Sequence, residues 1–538
     1  MSATSEAVAA TLLDQAILQL KLGKPRSSLP LLDDALHLLG DDPLVSDSEH
    51  VAPALACKAT ALNQARDLSA ALDVYDDLLR RFGEAPTTAV REVLARSLVD
   101  KGLTLAQLGR YEAALDVFAD VVRRFGDARE RGIGEHVVRS MFCRGNVLCQ
   151  LGRYSDALVA FDAMLQAAGD QRLATSEQIA RTLVNKAVAL CSLRRLEAAI
   201  ELYHEVVWRF HDCDEIGVRE QVARALVDKA YVLVELERHE EAFVTYDEVV
   251  HRFSDSDDDA LREQMLRALF NKGAQLSRLG RHEAAIAQFD RVLSESGRSD
   301  GCHALRDVAA RALICKGTAL LNLERSSSAV QIYDEVVSRF GEATELDLGG
   351  HVARALLDKG WILGSLGHRE LEVEQYDEIH RRFGEASQPV LRLYVATALL
   401  NKGSALGTLG RYQAAIVAFD TFVRRFAEDP DVPREYVAKA LVNKGVALSE
   451  LDWPEAAIEV FDGVIDRFGD TAECSASEQV ARGMFEKARV LTMLGRHDHV
   501  LTVCRELNER FYAATAPGVR SLLTKARLIC AALAESRP

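Results

Sequence analysis

The strongest constraint on this chain is that it repeats. The stretch from Ala95 to Ala128, ARSLVDKGLTLAQLGRYEAALDVFADVVRRFGDA, returns as ARALVDKAYVLVELERHEEAFVTYDEVVHRFSDS from Ala223 and as ARALLDKGWILGSLGHRELEVEQYDEIHRRFGEA from Ala353. Its lysine recurs at Lys58, Lys101, Lys186, Lys229, Lys272, Lys316, Lys359, Lys402, Lys444 and Lys487, with Arg144 taking the slot once, so the period is about 43 residues. A fixed period of this size specifies a solenoid, because no single unit can bury its apolar face and each must lean on the next. About twelve such units tile nearly all of the 538 residues and leave no room for the three or four globular domains that length alone suggests.

Each unit reads as two amphipathic helices. In the reference unit the first spans roughly Val93 to Leu108, with Leu94, Leu98, Leu105 and Leu108 on one face. Gly109 ends it in the left-handed conformation that glycine adopts without steric cost. The second spans Tyr111 to Phe125, turns Ala114, Leu115, Phe118, Val121 and Val122 inward, and closes at Gly126. The polar, acidic stretch that follows varies in length between units, as a loop does.

The set Gly102, Gly109, Tyr111, Ala114 and Phe118 recurs as Gly317, Ala329 and Tyr333, and as Gly403, Gly410, Tyr412, Ala415 and Phe419. This pattern resembles the tetratricopeptide repeat, in the form found in bacterial multi-repeat proteins, over nearly the whole chain. The resemblance implies an all-α, right-handed superhelical α-solenoid of about twelve antiparallel helix-turn-helix repeats. Residues 1–50 are then expected as an N-terminal capping repeat, 51–516 as the body, and 517–538 as a C-terminal capping helix and tail. Gly102 and Ala114 should lie where the helices approach most closely, with Phe118 in the wedge beside them. Two departures stand out. RFGDA-type endings replace the family's proline, and the unit exceeds the usual length of about 34 residues, which implies longer helices or a structured loop. Ser28 and Leu32 take the alanine and aromatic slots of the first unit. The endings at Met164 to Gly169 and Val292 to Gly297 are local irregularities.

Two polar ladders run along the repeats. The lysines face an aspartate that follows the second aromatic, at Asp76, Asp162, Asp247, Asp290, Asp334, Asp377, Asp420 and Asp462, which suggests a structural salt-bridge ladder. Arginine fills the Arg96 slot at Arg139, Arg181, Arg224, Arg267, Arg311, Arg354 and Arg482, with Lys439 once. Asn or Asp follows four residues later on the same helix face, at Asp100, Asn185, Asp228, Asn271, Asp358, Asn401 and Asn443. By the family resemblance, first helices line a concave groove, and basic and amide residues in these slots clamp the carboxylates of an extended peptide. Arg181/Asn185, Arg267/Asn271 and Lys439/Asn443 are then donor pairs for an acidic ligand. An internal ion pair is the simpler reading of Arg96/Asp100, Arg224/Asp228 and Arg354/Asp358. Tyr231 and Trp361 occupy the Leu103 slot and are candidate groove anchors. The candidate groove therefore comprises Arg181, Asn185, Arg224, Tyr231, Arg267, Asn271, Arg311, Arg354, Trp361, Asn401, Lys439 and Asn443. Trp208 and Trp453 read as packing residues, and SDSDDDALRE from Ser254 as a solvated helix cap.

Function classes narrow by charge and by absent motifs. A net charge of −16 repels phosphate backbones and anionic lipid. The ten cysteines show no CxxC pairing and read as small helix residues of a reducing compartment. The N-terminus lacks a basic n-region, and no apolar window reaches membrane-spanning length, so a cytoplasmic protein is expected. GxGxxG, GxxxxGK and HExxH are absent, and no catalytic, cofactor or metal site is expected. The reading is a non-catalytic scaffold or adaptor that binds a peptide or protein along the groove. The alternatives are a regulatory or sensor subunit for a separately encoded effector and, third, an RNA-binding helical repeat, which the charge opposes.

Overall fold

The apolar face of each predicted helix is too narrow to be buried alone, and the computed structural model shows how it is covered. It describes residues 3–39, 48–84, 87–171, 173–297, 303–343, 345–469 and 474–535. Among them lie 25 α-helices and no strand. The chain divides into two compact units, residues 1–268 and 269–538. The first unit holds α1 (Ala3–Lys21), α2 (Pro25–Leu39), α3 (Ser48–Gln64), α4 (Leu68–Phe82), α5 (Thr88–Gln107) and α6 (Tyr111–Phe125). It continues with α7 (Arg131–Gln150), α8 (Tyr154–Gln171), α9 (Ser176–Ser192), α10 (Leu196–Arg209), α11 (Ile216–Glu235) and α12 (His239–Phe253). The division falls inside α13 (Asp259–Arg278). The second unit then carries α14 (His282–Ser296), α15 (His303–Asn322), α16 (Ser326–Phe340), α17 (Leu346–Ser365), α18 (Arg369–Phe383) and α19 (Pro389–Thr408). It ends with α20 (Tyr412–Phe426), α21 (Arg434–Glu450), α22 (Pro454–Phe468), α23 (Cys474–Met493), α24 (His497–Arg510) and α25 (Pro517–Glu535).

Odd-numbered helices are the first helices of the hairpins and even-numbered ones the second. Within each unit a first helix packs on its own second helix, on the preceding second helix and on the next first helix. The extra length of the repeat sits in the first helix. α5 runs 20 residues against 15 for α6, and starts at Thr88 because Val90 and Leu94 add a buried turn. Most second helices keep the 15 residues read from the sequence, while α8 extends to 18.

The reference residues do what their sizes require. A Cβ on Gly102 would fall 2.4 Å from the Phe118 ring, and one on Gly403 would fall 2.5 Å from that of Phe419. Gly317 and Gly360 stand in the same relation to Tyr333 and Tyr376. The ring closes on the bare backbone, and Ala114, Ala329 and Ala415 are fully buried. In the first unit Ser28 and Leu32 are buried in the corresponding slots.

Hairpin turns use the left-handed region. Gly23, Gly109, Gly152, Gly280, Gly367, Gly410 and Gly495 have positive φ there, but Arg66, Arg194, Glu237, Glu324 and Asp452 adopt it without being glycine. The RF endings serve two purposes. Their phenylalanines, such as Phe125, Phe340 and Phe468, are buried. The arginine before the phenylalanine reaches back to a carbonyl at the end of the preceding second helix. Arg252 donates to the His211 carbonyl at 3.2 Å, Arg382 to Gly341 at 3.0 Å and Arg467 to Ala427 at 2.9 Å. A cation there meets the negative helix end and an otherwise orphaned acceptor.

The lysine ladder is inter-repeat. Lys58 pairs with Asp33, Lys186 with Asp162, Lys316 with Asp290 and Lys359 with Asp334, each at 2.6 Å, joining a first helix to the second helix before it. Lys101, Lys402, Lys444 and Lys487 make the same pair with Asp76, Asp377, Asp420 and Asp462. Arg144 stands where the preceding second helix carries Ala119 in place of the aspartate, so both partners are lost together.

One sequence reading is overturned. Trp208 and Trp453 do not pack: they are 71% and 53% exposed. Trp208 falls in the slot of Arg80, Arg123 and Arg381, which point outward, and Trp453 is the N-cap residue of α22. The acidic run before α13 caps it as expected, with Asp258 Oδ1 accepting from the Ala260 and Leu261 amides. The described cysteines are free thiols, and no His, Cys, Asp and Glu cluster among the described residues could hold a metal. No helix among them is long and apolar enough to cross a membrane.

Candidate partner-binding groove

The slots of the arginine ladder lie on first helices, and where three successive first helices run side by side they frame a depression. Three such depressions share one plan. The first, about 800 Å³, is framed by α1, α3 and α5, with Cys57, Thr60, Arg96, Asp100, Leu103 and Arg139 among its lining. The second, about 630 Å³, is framed by α9 and α11 and closed by Arg267 of α13, with Val188, Tyr203, Arg224, Asp228 and Tyr231. The third, about 660 Å³, is framed by α19 and α21 and closed by Arg482 of α23, with Asn401, Ser404, Thr408, Lys439, Asn443 and Glu450. The first two lie in the first unit and the third in the second.

The depressions differ in charge. In the second, Asp228 lies between Arg224, 3.6 Å away, and the charge of Arg267. In the first, Asp100 is paired with Arg139 at 3.2 Å and feels Arg96. Burial is the larger influence on both and raises their carboxyl pKa despite the arginines. A buried tyrosine from the preceding second helix faces each of these aspartates, Tyr75 toward Asp100 and Tyr203 toward Asp228. The set of Tyr333, Asp358 and Arg354 repeats this in the second unit, where burial first and then Asp358 hold the phenol of Tyr333 up at about 12. Cation and carboxylate are thus spent on one another.

The third depression carries amides in place of those carboxylates. Asn443 donates to Ser404 Oγ of the preceding first helix at 3.2 Å, and Asn401 lies near the buried Tyr376, whose hydroxyl donates to Glu372 at 3.3 Å. Lys439 and Arg482 flank Asn443 in successive repeats and make no ion pair among the described residues. The nearest lining carboxylate, Glu450, is engaged by Arg489 at 3.5 Å. Two cations thus flank the amides, while the hydroxyls of Ser404 and Thr408 donate to the Leu400 and Ser404 carbonyls.

The remaining predicted residues are dispersed. Arg181 pairs with Glu177 on its own helix, and Asn185 donates to Asn146 at 2.9 Å. Arg267 donates to Gln264, and Asn271 is half-buried farther along α13. Arg311 lies 3.8 Å from Asp307 and 4.5 Å from the Phe270 ring centre, while Arg354 pairs with Asp358 at 3.6 Å. Tyr231 and Trp361 are 57% and 62% exposed, as groove anchors must be. The sequence reading left Ser404, Thr408 and Arg482 out of the candidate set. Arg482 carried a signal, since it completes the arginine ladder, and Ser404 shares the slot of Tyr231 and Trp361.

Comparison with known proteins agrees with the repeat. The tetratricopeptide repeat family matches residues 57–129, 99–172 and 400–471. No curated protein matches. Among solved structures, the apo form of the quorum sensor NprR from B. thuringiensis is 12% identical, with 70% of this chain and 99% of that chain covered and a TM-score of 0.38. A tetratricopeptide repeat protein from Parabacteroides merdae is 12% identical over 57% of this chain and 98% of its own, with a TM-score of 0.33. The APC/C hetero-tetramer Cut9-Hcn1 is 14% identical over 98% of this chain and 96% of its own, with a TM-score of 0.30.

Proposed function

Starting from a chain that is a tetratricopeptide-repeat protein, we propose that it is a non-catalytic scaffold that holds a protein partner by an extended acidic segment. The segment lies in the groove of the second unit, with carboxylates on Lys439 and Arg482. The observation that carries this reading is the pair of cations flanking Asn443 without an ion-pair partner, in the depression where Asn401 and Asn443 replace aspartate. Elsewhere in the ladder Arg139, Arg181, Arg224, Arg311 and Arg354 each have a carboxylate within the fold, which leaves them less to offer a ligand. The chain's overall charge of −16 opposes an acidic partner at long range, so recognition rests on these short contacts. Trp361, in the same unit, supplies exposed aromatic surface for apolar side chains of the partner.

The test is a selection of random peptides displayed on phage, run on the wild-type protein and on a Lys439→Glu, Arg482→Glu variant. The wild type should enrich Asp- and Glu-rich segments and the variant should lose them. Equal recovery of the same peptides by both proteins would remove this groove from the account.

A further inference from the structure

We propose that Cys504 and Cys530 form a reversible disulfide that fastens the last helix, α25, to the preceding hairpin. This inference is independent of the groove reading. Among the described residues α25 packs on α23 and α24 alone, whereas internal helices of the unit are covered from both sides. Cys504 stands in the slot that holds Phe118 in the reference unit, on the inward face of α24, and it is fully buried. Cys530, half-buried, packs against the same apolar cluster from α25.

The register of the two helices brings the sulfurs together. Arg527 Nε donates to Asn508 Oδ1 at 2.8 Å. Asn508 lies one turn after Cys504, and Arg527 lies one turn before Cys530, so antiparallel helices locked at that bond set the two cysteines opposite each other. Each thiol is near enough to influence the other electrostatically. Cys57, Cys143, Cys149, Cys191, Cys213 and Cys315 all lie in helices or connections before α17.

The two sulfurs differ in reactivity. Burial, reinforced by the neighbouring thiol, pushes Cys504 up to about 12, so it stays protonated at neutral pH. Cys530 is the accessible partner. With a hydroperoxide as oxidant, the Cys530 thiolate attacks the outer oxygen, the O–O bond breaks, and the leaving hydroxide is protonated to water. The resulting sulfenic acid is displaced by the Cys504 sulfur, whose proton leaves with the sulfenic oxygen as a second water. Two thiols lose two electrons and one peroxide gains them. A small dithiol reverses the step by exchange. The bridge closes a short loop of chain containing the α24–α25 connection, which restrains the opening of α25.

The test uses the full-length protein, reduced and then exposed to hydrogen peroxide in small steps, with intact mass and peptide mapping at each step. The expected first product is 2 Da lighter and carries a Cys504–Cys530 cross-linked peptide. Amide exchange in α25 should slow about tenfold and recover on adding dithiothreitol. Cys530→Ser should abolish both the cross-link and the slowing. Cys504→Ala should leave Cys530 to proceed to the sulfinic acid. Oxidation of wild type that joins other cysteines first, or that takes Cys530 to sulfinic acid without linking it to Cys504, would overturn the proposal. The wild-type mapping decides this even if a variant folds poorly.

Discussion

Glu237 holds a left-handed backbone, φ 60°, in a turn where other repeats place glycine. A side chain there costs about 1 kcal/mol or more. Glu237→Gly is therefore expected to raise stability by about 0.5–1 kcal/mol, read as a higher urea midpoint at unchanged m-value. Gly403→Val should do the reverse by about 1–3 kcal/mol, since its Cβ would enter the Phe419 ring. Asp228 supplies a pH test. Burial raises its folded-state pKa above the ordinary 3.8, so its contribution to stability is full below 3.8 and is lost as pH climbs through the raised value. Asp228→Asn, which installs the amide other repeats use, should melt no lower than wild type at pH 7. It should also lose the gain that Asp228 gives the wild type on acidification toward pH 4. A variant melting well below wild type at pH 7 would mean that the arginines outweigh desolvation. At this scale the sequence was only partly legible. Gly102 announced its contact with Phe118 because size alone forces it. Trp208 was misread because residue type suggested a core, while its slot, shared with Arg80 and Arg123, pointed to solvent.

Helices in this chain are held by apolar wedges more than by the ion pairs that decorate them. Lys359 and Asp334 pair at 2.6 Å with side chains 16% and 54% exposed, so a double-mutant cycle should return no more than about 1 kcal/mol. Phe340→Ala, at the end of α16 and buried to 2% exposure, should cost about 3–5 kcal/mol by chemical denaturation. A larger value for the ion pair than for the ring would reverse this ranking. A second helix such as α6 could be bounded from sequence because a turn glycine, Gly109, precedes it and Gly126 follows it. The first helices could not. α5 begins at Thr88 in place of the expected Val93, in a stretch that varies between repeats and where Thr87 makes no side-chain cap to signal the start.

Stability in such a chain is a sum over neighbouring hairpins, and that shapes what damage does. Removing one whole repeat, residues 101–143, deletes a unit and rejoins like surfaces. Ala114→Leu leaves every unit in place but forces a fully buried contact open. Circular dichroism melts should show the substitution as the more harmful of the two. The all-helical hairpin architecture was readable from the 43-residue period. The difference between grooves was not, because it depends on which side chains satisfy one another across repeats: Asp228 with its two arginines, Asn443 with Ser404, and Lys439 and Arg482 with neither. The central claim is that partners enter along first helices of the second unit. Amide hydrogen exchange with and without an acidic peptide recovered by the wild-type protein tests it most directly. The account predicts slowed exchange in α19 and α21 around Asn401–Thr408 and Lys439–Glu450. Slowing confined to the outward faces of second helices, near Val417 or Trp208, would contradict it.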